Sequence, residues 1–219
     1  MELINKKFTT DYIKSLIEEE KEIADFRKKC DERNLPIIHK EVSNFIKVVL
    51  NIHKPLRILE LGTAIGFSSF FMAKTIDSED LSIKTVERRN TFIKEAEDNL
   101  KKYSYKGKIE VIPGDALTIL ENLDEEFDMI FIDAAKSKYL DFLPYCFKLL
   151  KKDGIIISDN VLYKGMIANE DLVERRQKTI VRKMRKYLKK ISNHPSMESS
   201  VLPLGDGVAI TIKKGESYE

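Results

Sequence analysis

From Arg57 onward, short apolar runs alternate with segments whose apolar residues recur every three or four positions. The runs Arg57–Leu61, Leu81–Glu87, Lys108–Ile112, Phe127–Asp133 and Gly154–Asp159 predict strands. The periodic segments near Gly66–Ile76, Asn90–Tyr103, Leu117–Leu123 and Tyr139–Leu150 predict helices between them. Met129-Ile130-Phe131-Ile132 is apolar throughout and stops at Asp133. Such a run suits a strand buried on both faces of a parallel sheet. The alternation predicts an α/β, doubly wound sheet with right-handed crossovers.

The two ends of the chain read differently. Asp11–Arg33 places Tyr12, Ile13, Leu16, Ile17, Ile23, Ala24 and Phe26 mostly at helical spacings, predicting one amphipathic helix. Asn34-Leu35-Pro36 breaks it. Lys40–Leu50 predicts a second helix with Val42, Phe45, Ile46, Val49 and Leu50 on one side, and Pro55 closes the unit. A longer helix is expected over Asn169–Ile191. Met197–Leu202 and Val208–Lys213, joined by Pro203-Leu204-Gly205-Asp206-Gly207, predict an antiparallel hairpin. With no repeat or linker, one domain over residues 1–219 is the simplest reading, with residues 1–55 as a helical extension packed on it.

Composition narrows the class. Hydrophobic residues make up 42% and charged residues 34%, as in a soluble globular chain. No apolar run approaches the roughly 20 residues that span a bilayer. The N-terminal stretch MELINKKFTTDYIK lacks an apolar core and a cleavage site, so no secretory signal is expected, and the cysteine usage leads us to expect a cytoplasmic setting. Cys30 and Cys146 form no CxxC pair and are expected to be buried packing residues in a reduced protein. Net charge is +2, but Arg175–Lys190 holds nine Lys/Arg among 16 residues and no acid. Ile180, Met184, Tyr187, Leu188 and Ile191 form an apolar stripe there, so the segment reads as a packed helix with a basic outer face. Lys148, Lys151 and Lys152 add to the charge. Such faces are usually just solvated; a polyphosphate partner is the functional alternative.

Ligands of open α/β sheets collect at the carboxyl ends of the strands. Three predicted strand ends carry matching chemistry for a nucleoside. Gly62-Thr63-Ala64-Ile65-Gly66 is a tight turn into a helix. Its G-x-x-x-G spacing differs from the G-x-G-x-x-G of dinucleotide binders and makes a pyrophosphate cradle less expected. Glu87 ends the second strand, where an acid can accept ribose hydroxyls. Asp115 follows the third, placed to touch an adenine edge. Two further ends carry oxygen donors: Asp133, with Lys136 three residues on, and Asp159-Asn160. If these strands are neighbours, Asp133, Asp159 and Asn160 converge. Three oxygen donors select a hard cation, Mg²⁺ with Mn²⁺ or Ca²⁺ as alternatives. His39, His53 and His194 lack ligand spacing, so zinc is not expected. The plain alternative is that Asp159-Asn160 caps a following helix and Asp133 ends a strand in solvent.

The pattern E-L-G-x-x-x-G, an acid ending the next strand and G-D-A after the third resembles the class I S-adenosylmethionine-dependent methyltransferases. That resemblance implies a Rossmann-like sheet of about seven strands, mostly parallel with an antiparallel C-terminal hairpin. It places Gly62 and Ser68 beside the methionine part of the cofactor, Glu87 at the ribose, and Asp115 with Ala116 at the adenine. It also implies that the backbone at Ile38 covers the cofactor and that Asp133 belongs to the cofactor site. D-A-A-K-x-x-Y, then S-D-N-V-L and the late G-D-G, are similar to the metal-dependent O-methyltransferases of the catechol and caffeoyl-CoA type. This implies a metal held by Asp133, Asp159 and Asn160, Lys136 as base, and a homodimer. Within that group the pattern resembles the bacterial tRNA 5-hydroxyuridine methyltransferases. The implied acceptor is the 5-hydroxyl of a wobble uridine, giving 5-methoxyuridine, with Arg175–Lys190 as the candidate tRNA contact. The runner-up is a small-molecule O-methyltransferase acting on catechol-like vicinal hydroxyls. A non-catalytic nucleoside- or RNA-binding module is a third class. A narrow aromatic pocket would favour the small molecule; a shallow cleft flanked by positive charge would favour tRNA.

Overall fold

The computed structural model describes residues 5–215 and residue 218. Strands β1 (Arg57–Leu61), β2 (Ser82–Glu87), β3 (Lys108–Pro113), β4 (Phe127–Ile132), β5 (Leu150–Asp159), β6 (Met197–Leu202) and β7 (Val208–Lys213) form one sheet. Their order is β3-β2-β1-β4-β5-β7-β6. β1 to β5 are parallel, and β7 runs antiparallel between β5 and β6. This is the predicted Rossmann-like sheet with its terminal hairpin. The winding reverses between β1 and β4, so the crevice for a ligand opens at their carboxyl ends.

Eight α-helices are described: α1 (Lys7–Ser15), α2 (Lys21–Glu32), α3 (Lys40–His53), α4 (Phe67–Ile76), α5 (Asn90–Leu100), α6 (Ala116–Asn122), α7 (Tyr139–Leu149) and α8 (Lys178–Asn193). Alternate strand residues feed two cores, as the period of two requires. Met129 and Phe131 join α2, α3 and α4 on one face. Ile130 and Ile132 join α6, α7 and α8 on the other. Cys30 and Cys146 are buried and free, as expected. Among the described residues no helix is long and apolar enough to cross a membrane.

Four expectations need correction. The single helix over Asp11–Arg33 is two, α1 and α2, broken at 16–20. A continuous helix would hold Glu19 and Arg27 about 12 Å apart along its axis. The break instead lets Glu19 accept from Arg27 Nε at 2.9 and 3.0 Å. The helix expected over Asn169–Ile191 starts only at Lys178, after two 3-10 turns, Glu170–Leu172 and Arg175–Gln177. Asn169 competes for the backbone there, its side chain accepting from Asp171 N at 2.9 Å. On α8 the buried stripe is Val181, Met184, Tyr187 and Ile191, so Val181 takes the place assigned to Ile180. β5 begins at Leu150 rather than Gly154, because Leu150 pairs with Phe127 across a register shift. Residues 1–4 of the N-terminal stretch lie outside the described residues.

Candidate active site

The chain doubles back so tightly at the end of β1 that only glycine fits. Gly62 has φ of 109°, and a Cβ there would lie 2.2 Å from the Asp133 carbonyl oxygen. Asp133 N donates to Leu61 O at 2.9 Å, locking the ends of β1 and β4 together. Beneath the turn, Glu60 is fully buried. Its carboxylate accepts from the hydroxyls of Ser68, Ser69 and Thr85, the last at 2.6 Å. Burial raises the Glu60 pKa, and the three hydroxyls oppose the rise. Glu87 holds the turn from the side. Its Oε2 accepts from Ala64 N at 3.0 Å, and its Oε1 from Arg88 N and Arg89 N at 3.0 and 2.9 Å. Asp115 caps α6, accepting from Leu117 N at 3.0 Å.

The ten residues assigned from the sequence to the cofactor, the cation and catalysis all line one cavity of about 640 Å³: Ile38, Gly62, Ser68, Glu87, Asp115, Ala116, Asp133, Lys136, Asp159 and Asn160. That volume lies within the roughly 300–1,000 Å³ usual for small-molecule sites. The Ser68 hydroxyl turns away from it to Glu60. The Ile38 carbonyl is held by Arg27 Nη1 at 2.6 Å, which fixes the loop between α2 and α3 over the cavity.

At the other end, β4 and β5 are neighbours and bring Asp133, Asp159 and Asn160 together. Lys136 Nζ lies 3.8 Å from Asp133 Oδ1. Burial raises the pKa of Asp133, and the charges of Lys136 and His39 oppose this. Burial also raises that of Asp159, reinforced by the Asp133 charge. Asp159 is 1% exposed, so its desolvation is severe. Asp133 keeps 27% of its side-chain surface and faces the cavity. No helix follows Asp159-Asn160, so the capping alternative fails: Asp159 Oδ1 accepts from Asn160 N at 2.7 Å. Among the described residues no three His, Cys, Asp or Glu side chains converge as a metal-binding group. The set here is two mutually repelling carboxylates and an amide, oxygen donors that fit a hard divalent cation.

Several residues at this site were not assigned a role from the sequence. His39 lines the cavity from the amino end of α3. Its pKa is lowered by burial. Asp206, in the β6–β7 turn, accepts from Lys164 N and so closes the loop after Asn160. A buried acid inside β1, eight and nine residues before two serines, was the available signal for Glu60. Asp206 is the acid of the late G-D-G noted in the sequence, which carried no role for it, and nothing local marked His39; both arrive from distant elements.

Comparison with known proteins bears on the fold and the family. Residues 13–214 match the O-methyltransferase family. The chain is 27% identical over 179 residues to a catechol O-methyltransferase of Niastella koreensis, covering 78% of this chain and 79% of that protein. A crystal structure of a candidate caffeoyl-CoA O-methyltransferase from Staphylococcus aureus is 35% identical, with a TM-score of 0.83 over 96% of this chain and 99% of that one. The O-methyltransferase TomG of Streptomyces achromogenes, solved with S-adenosylmethionine, shares the fold at 23% identity, with a TM-score of 0.81 over 98% and 100% of the two chains. A match over nearly the whole chain makes this protein a member of the O-methyltransferase family.

Proposed function

We propose that this chain moves the methyl group of S-adenosylmethionine to the 5-hydroxyl of 5-hydroxyuridine at the tRNA wobble position, using a divalent cation. The carrying observation is that the nucleoside-type residues Gly62, Glu87 and Asp115 share one cavity with Asp133, Asp159, Asn160 and Lys136. A carboxylate has about four acceptor positions. Glu87 spends three on backbone N–H groups, so one remains for a ribose hydroxyl. S-adenosylmethionine brings a methyl group on a sulfonium, which departs as a neutral thioether. The cation, Mg²⁺ or the similar Mn²⁺ or Ca²⁺, supplies Lewis acidity that makes the acceptor hydroxyl more acidic. Asp133, Asp159 and Asn160 are the residues that would hold it. Lys136 Nζ takes the hydroxyl proton. The Gly62 turn and the Ile38 loop hold donor and acceptor in line, which is the main kinetic contribution of the protein.

The choice of tRNA rests on charge and on the lining of the cleft. Its aromatic lining is Phe67, Phe92 and Phe142, while exposed Arg88, Arg89 and Lys138 stand at its edge. Tyr163 OH donates to Gln177 Oε1 at 2.7 Å, which ties the start of α8 to the loop after Asn160. On α8, Lys183 is spent on Asp141 and Arg185 on Glu170. Lys178, Arg182, Lys186 and Lys189 are exposed and form no ion pair with a described residue. They follow one another at helical spacing and offer a cationic stripe for phosphates. The second reading, a small catechol-like acceptor, is favoured by the similarity to the Niastella catechol enzyme. Mass spectrometry of tRNA nucleosides from cells with and without the protein separates the two. Loss of 5-methoxyuridine with gain of 5-hydroxyuridine supports tRNA. Unchanged nucleosides, with catechol methylated by the purified protein, overturn it.

A homodimer belongs to this proposal. Among the described residues, the exposed large apolar side chains are Phe8, Tyr12, Ile13, Leu16, Val48, Ile52 and Leu56. All lie on α1 or α3 or within three residues of their carboxyl ends. α1 is nine residues long and buries none of them. A helix that short is marginal by itself. We assign this face to a second copy, which would also extend the basic surface. Light scattering should give a dimer, and Ile52→Glu a monomer; a monomeric wild type would refute the assignment.

A further inference from the structure

Two tyrosines outside the cavity lining brace the oxygen cluster from behind. The β4–β5 ladder ends at the pair Ile132 and Ser158, one residue before Asp133 and Asp159. Beyond that rung β4 and β5 share no ladder with each other, although Asp133 N still bonds Leu61 O of β1 and Asp159 still pairs with Val208 of β7. Tyr139, the first residue of α7, is fully buried. Its hydroxyl lies 3.2 Å from Ile132 O and 3.0 Å from Asp159 O, donating one shared proton across the gap. It therefore replaces the missing rung at the point where the two carboxylates must be aimed. Tyr187 of α8 meets the Tyr139 ring edge to face, at 5.7 Å and 83°. The Tyr187 hydroxyl lies 2.6 Å from Ser158 Oγ, on the residue before Asp159. α7 and α8 thus grip the end of β5 from one side. Among the described residues, the hydrogen bond to the Asp159 carboxylate comes from the backbone N–H of Asn160.

We propose that Tyr139, held by Tyr187, is a positioning residue for the oxygen donors Asp133, Asp159 and Asn160, setting their spacing for a divalent cation. This rests on the cation reading above. Removing an outer-shell partner of a metal ligand typically weakens metal binding about 10- to 100-fold. Tyr139→Phe keeps the ring packing and deletes only the bridging hydroxyl. Tyr187→Phe deletes the hydroxyl on Ser158 and serves as the second variant should Tyr139→Phe fail to fold.

The test titrates full-length wild type and both variants with Mn²⁺ alone, read by electron paramagnetic resonance. S-adenosylmethionine affinity is read separately by calorimetry. The expected result is Mn²⁺ binding weakened about 10-fold in Tyr139→Phe, with cofactor affinity unchanged, and a smaller loss in Tyr187→Phe. A purely structural role would move both affinities together or neither, so either of those results overturns the proposal. Absence of saturable Mn²⁺ binding by the wild type would overturn both the cation reading and this inference. That failure shows in the wild-type arm alone and is distinct from a variant matching wild type.

Discussion

Alanine at Gly62 puts the closeness of β1 and β4 to a direct test. The new Cβ would stand 2.2 Å from the Asp133 carbonyl oxygen and 2.8 Å from its carbon, where a carbon–oxygen contact needs roughly 3.3 Å. The strand ends must therefore separate by about 1 Å. The backbone φ of 109° adds strain for any residue with a side chain, about 1–3 kcal/mol. Overpacking adds about 1–3 kcal/mol more. A total near 3 kcal/mol lowers Tm by about 6–12 °C for a chain of this size. Displacing Asp133 by that distance should also cost about 100-fold in kcat/KM. Gly107→Ala is the control. Gly107 has φ of 79°, and its Cβ would lie 2.5 Å from Leu81 O, next to the start of β3 and outside the cavity lining. Thermal unfolding, calorimetric cofactor binding and turnover on both variants separate strain from site damage. Both should lose stability; Gly62→Ala alone should lose cofactor affinity and turnover. The reasoning is refuted if Gly62→Ala keeps Tm within about 2 °C of wild type, or loses no more activity than Gly107→Ala.

Other outcomes follow from the same geometry. Asp159 has its pKa raised from 3.8 to about 8 in the metal-free protein. A raised folded-state pKa favours folding below the unfolded value, and that contribution is lost as pH rises through the folded value. Metal-free protein should therefore lose stability between about pH 4 and pH 8. Asp159→Asn should flatten that loss, measured as Tm against pH in EDTA; an unchanged profile would count against the buried carboxylate pair. Lys136→Ala should lower kcat by about 10²- to 10⁴-fold with S-adenosylmethionine affinity intact, seen in single-turnover assays. Replacing Arg182, Lys186 and Lys189 by Ala should weaken tRNA binding and reduce its salt slope by about 2–3, leaving methylation of a small acceptor unchanged. A catechol rate that falls in step with tRNA binding would refute the α8 contact.

Much of the fold could be read along the chain because it is written in local pattern. The run from Met129 to Ile132 reads as a doubly buried strand, and β4 lies at the centre of the sheet. The strand ends were legible for the same reason: each acid stands where an apolar run stops. What the pattern hid depends on distant contacts. The break between α1 and α2 serves an ion pair between Glu19 and Arg27 that also fixes the Ile38 loop. No spacing rule distinguishes that from one long amphipathic helix. His39 and Asp206 join the cavity's surroundings from a helix start and a hairpin turn, and only the folded sheet brings them close. The basic run Arg175–Lys190 could be read as charge, but not how much of it is already paired. That pairing depends on the fold, which sets Asp141 and Glu170 against Lys183 and Arg185.

The central claim is cation-assisted methyl transfer to a tRNA hydroxyl at the end of β4 and β5. The most direct measurement supplies purified protein with labelled S-adenosylmethionine, Mg²⁺ and tRNA carrying 5-hydroxyuridine, beside catechol as competing acceptor. Label should enter 5-methoxyuridine, vanish with EDTA, return with Mg²⁺ and be absent in Asp133→Ala. Label entering catechol alone, or transfer to tRNA that survives both EDTA and Asp133→Ala, would contradict it.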